Sequence, residues 1–408
     1  MNVLINAYAV SPNWGSEQGV GWKWAINIAE HCNVYVITEG QWRSEIEKNI
    51  SNLPQRDNLH FYYIPVSDKI RRMCWNQGDW RFYFHYHIWQ KKALKLAREI
   101  IITHKIDIIH QLNMVGFREP GLLWKIKEIP FVLGPIAGRT HLNLKYFSDV
   151  HLLSKTKYAV KNIINSIQFN YSPNVKNALK YSRAVITPME DMADDIAKRY
   201  NVPVYLIPET GLDETVQRPV RNSDKTLHLL WVGRFVERKQ LSLALRTIAR
   251  LDRQENVKLH IVGFGMNGEE QYYRSMAEKL GISENCVWEG KKDNAEVKEM
   301  MTQMDVFFFT SVDEVTSTVI PEAIQSCLPI ICHNICGFGP LVNNEIGWTI
   351  PLLSPEESIA GFARIINNIC QNPKLLDKDL REFEKTGEKL KYKSKALQVV
   401  DIYKSIIG

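Results

Sequence analysis

Residues 305–322, DVFFFTSVDEVTSTVIPE, constrain this 408-residue chain more tightly than any other stretch. Residues 306–310 form a short apolar, aromatic run, the signature of a parallel strand buried on both faces. Ser311 to Glu314 interrupt it with polar residues. Thr318 can then cap a new helix, with Pro321 tolerated in a first turn whose N–H groups have no intrahelical partner. Strand, loop and helix start in that order make an α/β unit, and the helix start is a ready anion site. Glu314 and Glu322 flank it, with seven residues between them. Carboxylates beside an anion site suit the hydroxyl-rich part of the same ligand, because they accept hydrogen bonds from ribose or sugar hydroxyls. The bland alternative, a helix-start Glu favoured by the dipole and a solvated loop Glu, stays open on these residues alone.

A chain of this length exceeds the ~250–300 residues at which single cores stop growing, so two or three domains are expected. No apolar run approaches the roughly 18 residues that cross a bilayer. The opening MNVLINAYAV reads as a first strand and not as a secretion signal. The seven cysteines are scattered, with no thiol-redox pair and no zinc spacing, which suggests reduced thiols and a cytoplasmic location. Net charge is +6 but uneven: residues 1–208 hold 26 Lys+Arg against 17 Asp+Glu, a net +9. The first half is therefore the one expected to face something anionic.

Along the first half, a strand at 3–8, the glycine loop SPNWGSEQGVGW, a helix at 22–31 and a strand at 33–38 read as a βαβ unit. Gly15, Gly19 and Gly21 do not fit the dinucleotide spacing, which disfavours a nicotinamide dehydrogenase. The loop is better read as a turn where a ligand can approach the backbone closely. DIIH, residues 107–110, is read as a strand with His110 at its C-terminal end; a core histidine is the alternative. Residues 69–105 are rich in Arg, Lys and aromatics and end in an amphipathic helix. Residues 139–183 hold eight Lys/Arg and one acid, Asp149, with apolar residues at helical spacing. They read as a cationic amphipathic helix suited to an anionic membrane surface, or as a solvated face packed on its own domain. PETGLDETVQRP, at 208–219, reads as an interdomain linker.

A second βαβ series begins at Leu227. It places candidate groups after successive strands, where open α/β sheets bind ligands. Arg234 and Lys239 follow the strand ending at Gly233, Gly263 and Gly265 follow the next, and residues 314–322 follow the central one. Two fixed cations beside a helix start suit a diphosphate, whose developing negative charge they offset.

GRFVERK, VGFG, the two Glu spaced by seven and ending in PEA, and LPIICHNICGFG together resemble glycosyltransferase family 4. The resemblance is strong over 227–350 and weaker in GSEQGVGW, DIIHQL and LDETVQRP. It implies the α/β GT-B fold, two Rossmann-like doubly wound domains facing a central cleft. The first would cover 1–207 on the acceptor side and the second 208–391 on the nucleotide-sugar side, with a closing helix at about 392–408 packed back on the first. It also implies a retaining, metal-independent transferase with no cofactor beyond its nucleotide diphosphate sugar donor. By the same resemblance Arg234 and Lys239 bind the diphosphate, Glu322 the ribose and Glu314 the transferred sugar. Backbone amides of Val315, Thr316 and Ser317 hold phosphate oxygens, with Gly233, Gly263 and Gly265 lining the donor site. Gly15 and Ser16 approach donor or acceptor, and His110 lies at the reacting centre. Two departures stand out: Gln240 replaces the usual glycine after the lysine, and Val315-Thr316 the usual Phe-Gly.

The expected function is transfer of a sugar from a nucleotide diphosphate sugar to a glycan or lipid-linked acceptor in surface polysaccharide synthesis. The enzyme would be cytoplasmic and peripheral on the inner membrane face through 139–183, without nucleic-acid partners. A GT-B nucleotide-sugar epimerase and a catalytically idle nucleotide-binding subunit are the alternatives.

Overall fold

The structure, a computed structural model, describes all residues except 76–78, 140, 148–151, 214–225, 267 and 315–316. The chain divides into two units: Met1–Arg139, Ile164–Thr210 and Tyr392–Gly408 form one, and Thr140–Ile163 with Gly211–Lys391 form the other.

The first unit is built on a parallel sheet of β1 (Asn2–Ala7), β2 (Asn33–Thr38), β3 (Leu59–Tyr63), β4 (Ile108–Asn113), β5 (Phe131–Leu133), β6 (Ser182–Thr187) and β7 (Val204–Leu206). Among the described residues their order is β3-β2-β1-β4-β5-β6-β7. Val3, Leu4, Ile5, Val34, Val36 and Ile109 are fully buried, as expected for strands covered on both faces by helices. The order reverses between β1 and β4.

Two expectations need correcting here. The helix after β1 begins at Ser16 and runs Ser16–Ile28, not from Trp22. Its glycines are demanded by packing: a Cβ on Gly21 would lie 2.3 Å from the Ala9 carbonyl oxygen, and one on Gly19 2.3 Å from that of Trp14. His110 is not at a strand end, because β4 continues through Asn113. The polar residues that make this extension look like a loop are satisfied internally: the Asn6 amide donates to Gln111 Oε1 and Gln90 Oε1, each at 2.8 Å.

The terminal helix Tyr392–Ile407 belongs to this unit. Lys395 is almost fully buried on it, its ammonium donating to the carbonyls of Thr210 at 2.7 Å and Pro208 at 3.0 Å. Trp24 Nε1 donates to the Glu209 carbonyl at 2.9 Å, so the end of the predicted linker is fixed as far as Thr210. Residues 214–219 of that linker lie outside the described residues.

The second unit carries β8 (Leu227–Val232), β9 (Val257–Val262), β10 (Cys286–Gly290), β11 (Val306–Phe309), β12 (Ile330–His333) and β13 (Gly347–Ile350). Among the described residues the parallel order is β10-β9-β8-β11-β12-β13. Alternation explains the unbroken aromatic run of β11. Phe308 packs with Leu229, Trp231 and Ile261 on one face of the sheet, and Phe307 and Phe309 pack with Leu230 and Ile324 on the other. The chain runs outward from β8 to β10, then returns to β11 beside β8. This is the switch point, where loops diverge and leave a crevice at the strands' carboxyl ends.

Part of the 139–183 stretch folds with this second unit. Leu142, Tyr146 and Phe147 are buried against Leu243, Val312 and Ile359.

Candidate active site

The loops leaving β8 and β11 meet at the switch point. The first crosses a turn at Glu237–Lys239 and ends at Gln240, which takes a left-handed backbone (φ 52°, ψ 48°) before the helix Leu241–Ala249. The second is held against it: Val312 N–H donates to the Arg238 carbonyl at 2.9 Å. The Thr310 hydroxyl donates to the carbonyls of Lys239 and Gln240 at 3.0 and 2.9 Å, and accepts from Trp231 Nε1 at 3.0 Å. A hydroxyl at the end of an apolar strand thus fixes the turn that carries the lysine.

Lys239 and Glu314 are brought together. The ammonium lies 2.5 Å from Glu314 Oε1 and 5.0 Å from the centre of the Phe309 ring. Burial pushes the Lys239 pKa down, and the facing Glu314 carboxylate opposes that shift. Arg238 Nη1 lies 2.5 Å from the same carboxylate oxygen and donates to the Asp313 carbonyl at 3.1 Å. The Ser311 hydroxyl donates to Glu314 Oε1 at 3.1 Å. Arg234 is exposed at the start of this loop and acts electrostatically on Lys239.

The predicted site missed Arg238, although it stands beside Lys239 in the sequence. A tight turn places neighbouring side chains on one carboxylate, and the signal was a pair of consecutive bases in ERK followed by an acid-bearing loop. In the first unit, Glu17 sits in the first turn of its helix, where its carboxylate accepts from Val115 N–H at 2.6 Å and burial raises its pKa.

Glu322 has other neighbours. It is 9% exposed; Oε1 accepts from the Asn294 amide at 2.8 Å, while Oε2 has no hydrogen-bond partner among the described residues. Burial raises its pKa. The helix bearing it is short, Val319–Gln325, and Thr318 stands at its N-cap without a side-chain cap bond, contrary to the expectation from sequence. Ser317 is buried; Val315 and Thr316 lie outside the described residues.

Gly233, Gly263 and Gly265 stack the two turns after β8 and β9. Gly263 has φ +151°, and a Cβ there would lie 1.8 Å from the Gly233 carbonyl oxygen. That position is glycine because two backbones touch.

Gly15, Ser16 and His110 belong to the first unit. Gly15 is the exposed N-cap of the helix Ser16–Ile28, and Ser16 has φ 55°. His110 is fully buried with both ring nitrogens engaged: Nε2 lies 2.6 Å from the Gly134 carbonyl and Nδ1 2.5 Å from the Tyr403 hydroxyl. A carbonyl only accepts, so Nε2 carries the proton and Nδ1 accepts from Tyr403. Burial pushes the pKa down to about 4, leaving a neutral ring that ties β4 to the terminal helix. A place at the reacting centre does not fit a ring so enclosed.

Solved structures superpose on nearly the whole of this chain. The glycosyltransferase WaaG, involved in lipopolysaccharide biosynthesis, superposes with a TM-score of 0.56 at 17% identity, covering 98% of this chain and 99% of that one. HepE from Anabaena, in complex with UDP, gives 0.60 at 15% identity, covering 99% and 100%. The fold is GT-B. Within this GT-B chain, residues 213–389 match the family described as glycosyl transferases group 1. An uncharacterized glycosyltransferase of Methanocaldococcus jannaschii is 24% identical over 190 residues, 46% of this chain and 47% of its own length. The lipopolysaccharide glucosyltransferase WaaG of Escherichia coli K12 is 29% identical over 113 residues, 27% of this chain and 29% of its own. A 2-deoxystreptamine glucosyltransferase of Streptomyces kanamyceticus is 23% identical over 287 residues, 66% and 71%. The chain thus spans less than half the length of the first two of these relatives.

Proposed function

We propose that this GT-B chain is a glycosyltransferase that moves a sugar from a nucleoside diphosphate sugar, with retention, to a glycan or lipid-linked acceptor. One observation carries the reading: Arg238, Lys239 and Glu314 converge at the switch point of the second sheet, where ligands of open α/β sheets bind. Lys239 and Arg238 would offset the charge that builds on the departing diphosphate, with Arg234 supplying a further exposed cation. Glu314, released from Lys239 as the phosphates arrive, would orient the transferred sugar through its hydroxyls. Glu322 Oε2 is a buried acceptor suited to a ribose hydroxyl. No side chain is assigned as nucleophile. The matched group 1 region and the glucosyltransferases among the relatives support the same chemistry.

The test is thermal shift against a panel of nucleoside diphosphates, on wild type and Lys239→Ala. A diphosphate at 100 times its Kd should stabilise the wild type by about 2.7 kcal/mol. Loss of that stabilisation in Lys239→Ala supports the assignment; an equal shift in both proteins ends it.

The membrane part of the reading rests on the helix Leu152–Tyr171. Val160, Ile163, Ile164, Ile167 and Tyr171 recur at helical spacing on its exposed side, with the exposed Lys157 on the same helix. Such a face suits the surface of an anionic bilayer and supports a peripheral role at a cytoplasmic membrane face. Among the described residues no helix is long and apolar enough to cross a membrane. Sedimentation with anionic against neutral liposomes decides this part; equal binding to both removes it.

A further inference from the structure

The long connection between β5 and β6 leaves the first unit, and residues 140–163 fold with the second. Where they attach is specific. The Tyr158 hydroxyl donates to Glu237 Oε2 at 2.6 Å. Gln240 Nε2 donates to the Tyr146 carbonyl at 2.8 Å and to the Glu237 carbonyl at 2.9 Å. Glu237 and Gln240 bracket Arg238 and Lys239 in the sequence, so the segment holds the cationic turn from both ends. It also holds the facing loop. Lys161 Nζ lies 3.5 Å from Asp313 Oδ2, next to Glu314, and Val312 is buried with Leu142, Tyr146 and Phe147. A buried relay adds a third attachment: Tyr146 hydroxyl to Ser358 Oγ at 2.7 Å, Ser358 Oγ to His333 Nε2 at 2.9 Å, and His333 Nδ1 to the Ser311 carbonyl at 3.2 Å.

Gln240 makes the arrangement informative. Its left-handed backbone is one that glycine adopts freely and that strains a side-chain-bearing residue. The glutamine is nonetheless buried there, its amide spanning Tyr146 and Glu237. Local strain is thus exchanged for a tether between the inserted segment and the cationic turn.

We infer that residues 141–147 and 155–161 form a brace that fixes the geometry of the diphosphate-binding turn, with Gln240 and Tyr158 as positioning residues that set affinity for the donor's diphosphate. This rests on the diphosphate reading above and adds to it a determinant supplied by the first half of the sequence. Neither residue need touch the donor. They act by holding Arg238 and Lys239 in the place where phosphate oxygens arrive, so that binding does not have to order the turn. Each contributes a tether of the kind that, bonded to a charged group or paired with its neighbour, is worth about a tenfold change in an equilibrium.

The experiment is calorimetric titration of the full chain with uridine diphosphate and guanosine diphosphate, on wild type, Tyr158→Phe, Gln240→Gly and Lys239→Ala. It is joined to donor and acceptor KM wherever transfer is measurable. The brace predicts that Tyr158→Phe and Gln240→Gly each raise the diphosphate Kd and donor KM about tenfold, with acceptor KM unchanged. Gln240→Gly suits the backbone better than the parent residue, so failure to fold does not confuse its result. A purely structural role would lower the unliganded melting temperature and leave Kd where it was, because a protein still fully folded binds with its native affinity; that outcome overturns the brace. If both brace variants bind as wild type while Lys239→Ala does not, the brace falls and the diphosphate site stands. If Lys239→Ala binds as wild type, the site reading fails and the brace with it.

Discussion

His110→Gln tests whether the histidine in β4 is structural, and its size follows from its surroundings. The ring is fully buried, with Nε2–H given to Gly134 and Nδ1 accepting from Tyr403. Its pKa falls from 6.5 to about 4, with burial the main cause and the Gly134 carbonyl opposing it. As pH drops below 6.5 the unfolded chain takes up this proton first. The histidine therefore costs stability progressively from pH 6.5 down to 4, and contributes its full share above that window. Between pH 7 and pH 5 the linkage amounts to about 2 kcal/mol. Glutamine keeps an N–H for the Gly134 carbonyl and an oxygen for Tyr403, but does not titrate. Urea denaturation of wild type and variant at both pH values gives two falls in stability, and the fall in the variant should be smaller by about 2 kcal/mol. All other titrating groups, including buried His333, are common to both proteins and cancel in the difference. Equal falls would refute the argument. The same variant should retain nucleoside diphosphate binding at pH 7, since no reacting atom reaches the enclosed ring.

Glu314→Gln removes the anion that Lys239 and Arg238 now share, so it should bind nucleoside diphosphate as tightly as wild type or more tightly while turnover falls at least about 100-fold. Calorimetry and initial rates on the same preparation check both halves. Glu322→Gln should weaken binding of a nucleoside diphosphate about tenfold, with a much smaller effect on inorganic pyrophosphate, because the lost charge is proposed to serve the ribose. Gly21→Ala should destabilise the first unit by about 2 kcal/mol, seen in urea denaturation, because its Cβ would meet the Ala9 carbonyl oxygen and the Asn113 amide at 2.3 and 2.9 Å.

Much of the architecture was legible because parallel strands covered on both faces tend to be apolar runs, as β11 is throughout and β12 is up to its closing His333. Glu314 and Lys239 were legible as residues of two loops leaving adjacent strands. The errors have physical sources. The extension of β4 through Gln111 and Asn113 was hidden because its buried polar groups are satisfied by Asn6 and by backbone carbonyls. The start of the helix at Ser16 looks like loop in the sequence because its glycines answer to close backbone contacts and not to helix propensity. The attachment of residues 140–163 to the second unit depends on Tyr146 and Tyr158 meeting Gln240 and Glu237 some eighty to ninety positions later, and no periodicity announces such a meeting.

The helix Tyr392–Ile407 gives this chain a particular order of assembly. A ribosome finishes β1 to β7 long before it makes the residues that complete their unit, among them Tyr403, the partner of His110. Domains of most proteins fold as they emerge, amino-terminal first. Here the earliest sheet must wait, with the Tyr403 side of β4 uncovered, until translation has delivered the whole of its neighbour. Released chains truncated before Tyr392 should therefore carry a first unit far more open to proteases than the second.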